Sequence, residues 1–200
     1  QLLPCAEELQ AHALAEPSFA EWARGCGPLQ HTAATQAAVF RLAHRLVQSG
    51  CQPDLASVYR LLQALDRLTC TGLWLVAHMT YARRVRLDGT ELEADDFKAR
   101  PEGHTGGALN MVPAYAGYLA LNALTGETRA WAMGQGHCVA AIEALNVLTG
   151  NLHPEQAARY GHDEAGLSRL VADFYSYAQA PDGLPGVPLG SHVTPHTAGG

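Results

Sequence analysis

Apolar residues recur at helical spacing along the first hundred positions of the chain. A stripe within residues 37–47 predicts a helix that ends at Gly50, and Asp54 is placed to cap a second helix. A third helix is predicted from about Gly72 to Arg84. The apolar positions of the first two helices are Val39, Leu42, Ala43, Leu46, Val47, Leu55, Val58, Leu61, Leu62, Leu65 and Leu68. Residues 1–99 are therefore predicted to form a packed helical segment in which nothing demands chemistry.

The pattern changes near residue 100, beyond which glycine, proline and histidine cluster. Residues 108–124 predict a helix that follows a glycine-rich turn, and the short apolar run at 128–133 predicts a buried strand. Further helices are predicted at 139–148 and from the capping residue Asp163 to Phe174. Residues 180–200 are rich in proline and glycine and predict a shaped loop.

The order of helix, strand, glycine turn and helix is typical of an open α/β sheet, in which ligands bind beyond the carboxyl ends of the strands. We therefore predict an α/β fold. Its helical N-terminal segment, residues 1–99, leads into the first part of a doubly wound, ligand-binding domain at residues 100–200. An all-helical domain is the competing prediction, because only the strand at 128–133 has a clear signal.

The composition argues against several classes of protein. The chain has 200 residues, 48% hydrophobic and 16% charged, so one large domain or two small ones can bury a core. Its formal net charge of -6 argues against nucleic acid or an anionic membrane as partner, although an anionic substrate can bind in a locally basic pocket. No apolar run reaches the length of a membrane span. The five cysteines include no C-x-x-C pair, which argues against disulfides and structural zinc and predicts a cytoplasmic protein.

Three histidines stand beside glycine or serine in predicted turns: His104, His137 and His192. Glycine lets a backbone approach a ligand closely, and imidazole can donate or accept a proton near neutral pH. A single loop histidine is usually solvated or locally bonded, but three in one half of a short chain favour a shared site. We predict that they converge on one cleft, and three separate surface histidines are the alternative.

Other kinds of site have less support. His192 and His196 are four residues apart, but Pro195 between them argues against a helical metal-binding pair, and no metal ligand is assigned. Cys138, at the start of a predicted helix, is interpreted as a buried structural cysteine rather than a nucleophile. The glycine turn at 134–136 is too short for a dinucleotide fingerprint and lacks the lysine of a phosphate loop.

Four motifs, in order and at similar distances, resemble the N-terminal region of the phosphoketolases, which are relatives of transketolase. The resemblance covers residues 100–200, about half of the chain, whereas residues 1–99 match in helical character alone. The motifs are Gly103-His104-Thr105-Gly106 with Leu109-Asn110, Met133-Gly134-Gln135-Gly136-His137, Asp163-Glu164-Ala165-Gly166-Leu167-Ser168-Arg169-Leu170, and Ser191-His192-Val193-Thr194-Pro195.

The resemblance implies a thiamine-diphosphate enzyme that cleaves a ketose phosphate with inorganic phosphate, giving acetyl phosphate and an aldose phosphate. In such enzymes the cofactor is the electron sink, and the protein supplies orientation and proton transfer. His104, His137 and His192 match catalytic histidines of the family, and His104 and His192 face the substrate. Gly134, Gly136 and His137 match the cofactor side. The resemblance also implies a homodimer or higher homo-oligomer for the full-length enzyme.

The sequence departs from the family beside these histidines. Thr105 replaces a tryptophan, Gln135 a proline, Cys138-Val139 a glycine pair and His196 a glutamate, and the loop at 181–190 is longer. The substrate therefore stays open. Transketolase-type two-carbon transfer, or the activity of relatives labelled ketose-phosphate epimerases, are the alternatives, and a non-catalytic helical interaction module is an alternative of another class.

The G-D-G-E motif with which the family holds Mg²⁺ on the cofactor diphosphate has no counterpart in the 200 residues. We therefore expect the magnesium motif, and the domain that supplies the catalytic glutamate, beyond residue 200. The diphosphate needs a divalent cation held by hard oxygen ligands. The 200 residues alone are predicted neither to bind thiamine diphosphate tightly nor to turn over substrate.

Overall fold

A computed structural model of the chain describes residues 6–130, 132, 134, 136–184 and 186–188. These residues form eight α-helices and two short 3₁₀ turns, at Ala94–Asp96 and Gly136–Cys138, and they contain no β-strand. Within the same residues, no helix is both long enough and apolar enough to cross a membrane. The helices are α1 (Ala6–Ala15), α2 (Pro17–Ala23), α3 (Ala33–Gln48), α4 (Leu55–Tyr81), α5 (Thr105–Thr125), α6 (Val139–Thr149), α7 (Pro154–Arg159) and α8 (Glu164–Asp173).

The chain divides into two compact units, each of them discontinuous in sequence. The first consists of Gln1–Cys70 and Ala116–Ala130, and the second of Thr71–Tyr115 and Trp131–Gly200. Helices α4 and α5 each contribute residues to both units. The boundary predicted between the helical segment at 1–99 and the domain that begins at 100 stays a prediction.

The core of the first unit is built around an aromatic cluster. Phe19 and Trp22 on α2 are 0% and 3% exposed, and Tyr59 on α4 is fully buried. The Phe19 and Tyr59 rings meet edge to face with their centroids 5.8 Å apart, an arrangement that the ring quadrupoles favour. Aliphatic side chains complete this core: Ala43, Leu46, Val58, Leu62 and Leu124.

The ends of α3 and α4 follow capping signals in the sequence. The Thr32 hydroxyl accepts a hydrogen bond from the Thr35 amide at 3.2 Å at the start of α3, and the chain reverses at Gly50, whose φ is +75°. The Asp54 carboxylate accepts a hydrogen bond from the Ser57 amide at 2.7 Å at the start of α4. This bond holds the pKa of Asp54 below its usual value. The first two predicted helices are therefore confirmed, together with the end at Gly50 and the Asp54 cap, whereas the Thr32 cap was not predicted.

Helix α4 is one helix of 27 residues, where the sequence predicted two. The predicted break near Gly72 was wrong, because a helix tolerates glycine where packing requires it. A Cβ atom at Gly72 would lie 2.9 Å from Leu145 Cδ2 and 2.9 Å from Val112 Cγ1. The glycine therefore lets these two side chains pack directly against the backbone of α4, and it ends no helix.

The strand predicted at residues 128–133 is not formed. Of these residues, 128–130 and 132 are irregular, and the other two lie outside the described part of the chain. A strand needs a neighbouring strand to pair its backbone groups, and the described residues offer none. The Arg129 guanidinium instead bonds the Thr125 hydroxyl at 2.9 Å, which ties this segment to the end of α5. The predicted helical segment is confirmed, whereas the described residues do not confirm the α/β, doubly wound arrangement.

Helix α8 begins at the predicted cap and is anchored at both ends. The Asp163 carboxylate accepts a hydrogen bond from the Gly166 amide at 2.7 Å. At the other end, the buried Asp173 carboxylate accepts hydrogen bonds from the Arg159 guanidinium at 2.9 Å and from the Tyr160 hydroxyl at 2.7 Å. The predicted helix from Asp163 to Phe174 is thus confirmed.

Gly166, which lies in the third of the four motifs, is required by close backbone packing. A Cβ atom there would lie 2.3 Å from the Gly161 nitrogen and 2.5 Å from its carbonyl oxygen. Because backbone atoms cannot yield as a flexible side chain does, Gly166→Ala should lower the free energy of unfolding by about 3 kcal/mol. Urea denaturation measures this loss. Gly117→Ala is the matched control, since nothing lies within 4 Å of a Cβ atom at that helical position, and equal stabilities of the two variants would contradict the packing argument.

Candidate functional site

His104 lies immediately before α5 and caps its N-terminus. Its Nδ1 atom accepts a hydrogen bond from the Gly107 amide at 2.9 Å, and this pairs one of the amides that a helix start leaves without a partner. Because the bond occupies the Nδ1 lone pair, the proton of the neutral ring lies on Nε2. The side chain is exposed, so His104 can present Nε2–H to a ligand as a hydrogen-bond donor.

His137 lies in the 3₁₀ turn Gly136–Cys138, which leads into α6. Its ring centroid is 4.5 Å from that of His104, and the ring planes meet at 71°. The structure therefore brings together two histidines that all of α5 separates in the sequence. Within the described residues no hydrogen bond engages the His137 ring, so both of its nitrogens are available to a ligand or a proton.

Gly107 makes this close approach possible. A Cβ atom at this position would lie 2.8 Å from His104 Nδ1, 3.1 Å from His137 Cδ2 and 2.6 Å from Cys138 Sγ. Sequence reasoning assigned no role to Gly107. The sequence placed Gly106 and Gly107 in a turn before a helix predicted at 108–124, whereas α5 begins at Thr105 and contains both glycines; two glycines beside a helix start were the available signal, because glycine weakens a helix unless packing requires it.

Cys138 packs beneath the two histidines as a buried thiol. It is 3% exposed, and burial raises its pKa, so the sulfur is protonated at neutral pH. A nucleophilic cysteine needs the opposite, a lowered pKa and an accessible sulfur. The prediction that Cys138 is a buried cysteine is confirmed.

Gly103 sets the direction in which the chain reaches His104. Its φ is +127°, a conformation that residues with a side chain rarely adopt. A Cβ atom would also lie 3.1 Å from Thr80 Oγ1 and 3.3 Å from Phe174 Cε1. The turn before His104 is thus pressed against Phe174, and only glycine satisfies both the backbone angle and the space.

A carboxylate and two tyrosines lie on the other side of this turn. Glu102 accepts a short hydrogen bond from the Tyr177 hydroxyl. Burial, followed by the charge of Glu102, raises the pKa of Tyr175, and burial, followed by the hydrogen bond to Glu102, raises the pKa of Tyr177. Both phenols are therefore protonated at physiological pH and act as donors.

The other predicted site residues are placed less completely. His192 lies outside the described residues, so its convergence with the other two histidines stays a prediction. Gly136 begins the turn that carries His137. Gly134 is exposed, and within the described structure nothing lies within 4 Å of a Cβ atom built there. Packing among the described residues does not explain glycine at position 134, and its role beside a cofactor stays a prediction.

The described residues suit the substrate side of a thiamine-diphosphate site better than its metal side. His104 and His137 offer imidazole donors and acceptors at one place. No group of three or more histidine, cysteine, aspartate or glutamate side chains in the described part of the chain is arranged to hold a metal ion. We therefore assign no step of the chemistry below to a metal held by these residues.

Comparison with known proteins identifies the family. The model of the family described as the XFP N-terminal domain matches residues 58–200, more than half of the chain. A comparison with curated proteins and one with solved structures find no match. The matched range includes the paired histidines and the turns and helix starts that position them. The chain belongs to the phosphoketolase family, whose N-terminal domain it carries.

Proposed function

We propose that the chain is the substrate-facing N-terminal part of a thiamine-diphosphate-dependent phosphoketolase. The full-length enzyme cleaves a ketose phosphate with inorganic phosphate to give acetyl phosphate, an aldose phosphate and water. The observation that carries the proposal is the contact between His104 and His137, whose ring centroids are 4.5 Å apart. Both histidines lie within the residues that match the family. Two imidazoles beside one exposed turn can bond the oxygens of a polyol and move protons between them.

His104 is proposed to bind and polarise an oxygen of the substrate. Its Nδ1 atom is committed to the Gly107 amide, so the ring meets the substrate through Nε2–H. A donor fixed in this way needs no reorganisation when negative charge develops on the substrate oxygen, which makes it more effective than a mobile donor.

His137 is proposed to transfer protons. Its ring is half-buried, and no hydrogen bond within the described residues fixes which nitrogen carries the proton. The ring can therefore accept a proton from a substrate hydroxyl and later return it, as bond cleavage followed by loss of water requires. His192 is proposed as a third histidine of the same cleft.

Thiamine diphosphate, when bound, supplies the electron sink for cleavage of the carbon–carbon bond. We propose that the turn at Gly134 and Gly136, with His137, faces this cofactor, and that magnesium is held by residues outside the 200. We also propose that the complete domain contains the doubly wound sheet, with its boundary near residue 100, and that the enzyme is a cytoplasmic homo-oligomer. The free thiols of Cys26, Cys51, Cys70 and Cys138 suit a reducing compartment.

The product formed by the full-length protein tests the proposal. Xylulose 5-phosphate, phosphate, thiamine diphosphate and Mg²⁺ are incubated with the enzyme, and phosphorus NMR follows the products. Acetyl phosphate that requires added phosphate supports the phosphoketolase reaction. Two-carbon transfer to an added aldose, without acetyl phosphate, would instead show transketolase chemistry, and failure to bind cofactor or sugar phosphate would favour the interaction module.

A further inference from the structure

A cleft of about 450 Å³ lies within the second unit, and Glu102, which lines it, shortly precedes His104 in the chain. The turn formed by Gly103 and His104 is called the histidine turn below. The volume of the cleft suits a small ligand. The cleft is unusual in its charge, because three cationic side chains and one carboxylate line it in a protein whose net charge is -6. The polar and charged residues that line it are Arg83, Lys98, Arg100, Glu102, Tyr175 and Ser176.

Among the described residues, no carboxylate engages the two arginines of this cleft. In the described part of the chain, neither Arg83 nor Arg100 forms an ion pair. Two nearby arginines behave differently, since Arg84 and Arg86 both bond the buried carboxylate of Asp96, at 2.6 and 2.9 Å. The guanidinium groups of Arg83 and Arg100 are therefore free to bind an anion, and their forked geometry suits phosphate oxygens.

Lys98 adds a cation that the backbone holds in place. Its Nζ donates hydrogen bonds to the carbonyl oxygens of Met79 at 2.6 Å and Phe174 at 2.9 Å. An ammonium group has three donors, so one remains for a ligand. Burial lowers the pKa of Lys98 to about 8, and the charge of a bound anion would favour the protonated form.

The single carboxylate that lines the cleft, Glu102, is hydrogen-bonded to a tyrosine. Glu102 accepts a hydrogen bond from the Tyr177 hydroxyl and, among the described residues, forms no ion pair, although its charge acts on Lys98 and partly offsets the lowering of the Lys98 pKa. Tyr175 and Tyr177 have φ values of +56° and +53°, a left-handed conformation that is costly for tyrosine. Strain of this kind persists where the surrounding structure imposes it and is concentrated at functional sites.

The cleft is also continuous with the histidine turn along the chain. Glu102 lines the cleft, Gly103 packs against Phe174, and His104 is the next residue. Consecutive Cα atoms are about 3.8 Å apart, so the cleft begins within about 8 Å of the Cα atom of His104. The lining of the cleft and His104 are therefore close along the backbone, as a site shared by one phosphorylated substrate requires.

We propose that Arg83, Lys98 and Arg100 form a binding site for a phosphate group. The anion is either the phosphate ester of the sugar or inorganic phosphate, which share this chemistry. The existence of the site does not rest on the proposed function, whereas its use during turnover does.

Binding of phosphate anions to the full-length protein, in the absence of thiamine diphosphate, tests the site. Calorimetry with inorganic phosphate, fructose 6-phosphate and fructose, at constant ionic strength, should show that both anions bind and the neutral sugar does not. The double variant Arg83→Gln with Arg100→Gln should weaken anion binding about tenfold or more. Arg60→Gln is the matched control, because Arg60 on α4 does not line the cleft and bonds Ser57 instead. This variant should bind both anions as the wild type does.

The outcomes separate the two sources of phosphate and the two proposals. Tighter binding of fructose 6-phosphate than of phosphate assigns the site to the ester, and equal or weaker binding assigns it to inorganic phosphate. Circular dichroism establishes that the double variant is folded. Wild-type protein that binds neither anion, or a folded double variant that binds both unchanged, would overturn the site. Anion binding without acetyl phosphate formation by the full-length protein would leave the site standing and refute the proposed reaction.

Binding of fructose 6-phosphate should also weaken as the pH rises through about 8, where Lys98 loses its charge; the phosphate ester, with a second pKa of about 6, is already close to a dianion at pH 7. The other charged and titratable groups that line the cleft are Arg83, Arg100, Glu102 and Tyr175, and burial raises the pKa of Tyr175 above its usual value. Between about pH 7 and pH 9.5 the affinity should fall several-fold, since a bound anion loses one of three cations. Lys98→Arg stays charged over this range and should remove the pH dependence. A wild-type affinity that is constant across the range would contradict the role of Lys98.

Discussion

Replacing His137 with alanine in the full-length enzyme should lower kcat for acetyl phosphate formation by about 10²- to 10⁴-fold, the range that loss of a general acid–base group produces. The His137 ring lies against that of His104, and no hydrogen bond within the described residues fixes its proton. Its loss removes proton transfer and leaves the donor at His104 in place. KM should therefore change much less than kcat, which steady-state kinetics with xylulose 5-phosphate measures.

His153→Ala is the matched control for this experiment. His153 is an exposed histidine of the same unit, at the start of α7, and lies outside the proposed site. Its replacement should leave kcat within about twofold of the wild type, as for surface positions away from a site. A His137→Ala enzyme that retains wild-type kcat would show that the contact between the histidines has no part in the chemistry.

The second large effect should come from a single methyl group at Gly107. In Gly107→Ala the new Cβ atom would lie 2.8 Å from His104 Nδ1 and 2.6 Å from Cys138 Sγ, so at least one ring has to move. A displacement of about 1 Å in a catalytic group can cost about 10²-fold in rate, and we expect kcat/KM to fall by about that factor. Overpacking should also lower the free energy of unfolding by about 1–3 kcal/mol.

The neighbouring glycine separates this effect from a general effect on the helix. At Gly106 the nearest atom to a new Cβ is His104 Cε1 at 3.8 Å, an ordinary contact. Gly106→Ala should therefore raise the free energy of unfolding by about 0.5–1 kcal/mol, as alanine does inside a helix, and leave kcat/KM unchanged. Urea denaturation and steady-state kinetics are measured on both variants. Similar kcat/KM values for the two would contradict the argument that a Cβ atom at position 107 displaces a catalytic ring.

Local signals were sufficient to predict most of the helices. Asp54 and Asp163 accept amide hydrogen bonds within their own first turns, and such caps depend on residues three apart that the sequence displays directly. The helix that Gly126 ends was predicted for the same reason, since its φ of +70° is one that glycine adopts at low cost.

Long-range packing accounts for what could not be predicted. Gly72 looked like a helix break because the side chains that require it, Val112 and Leu145, lie far away in the sequence. The segment at 128–133 has the composition of a strand, but composition does not supply a pairing partner. The phosphate cleft was missed because Arg83, Lys98 and Arg100 are scattered among other charged residues. Only the fold reveals which cations have no carboxylate as an ion-pair partner among the described residues.

The most direct test of the account is a double-mutant cycle on acetyl phosphate formation by the full-length enzyme, with His104→Asn and His137→Ala separately and together. Asparagine can still cap α5, so the first variant removes the imidazole and keeps the helix start. We predict that the wild type forms acetyl phosphate. The double variant should lose about as much activity as the less active of the two single variants, because both rings act on one substrate. A wild-type enzyme that forms no acetyl phosphate, or a double loss equal to the product of the two single losses, would contradict the account.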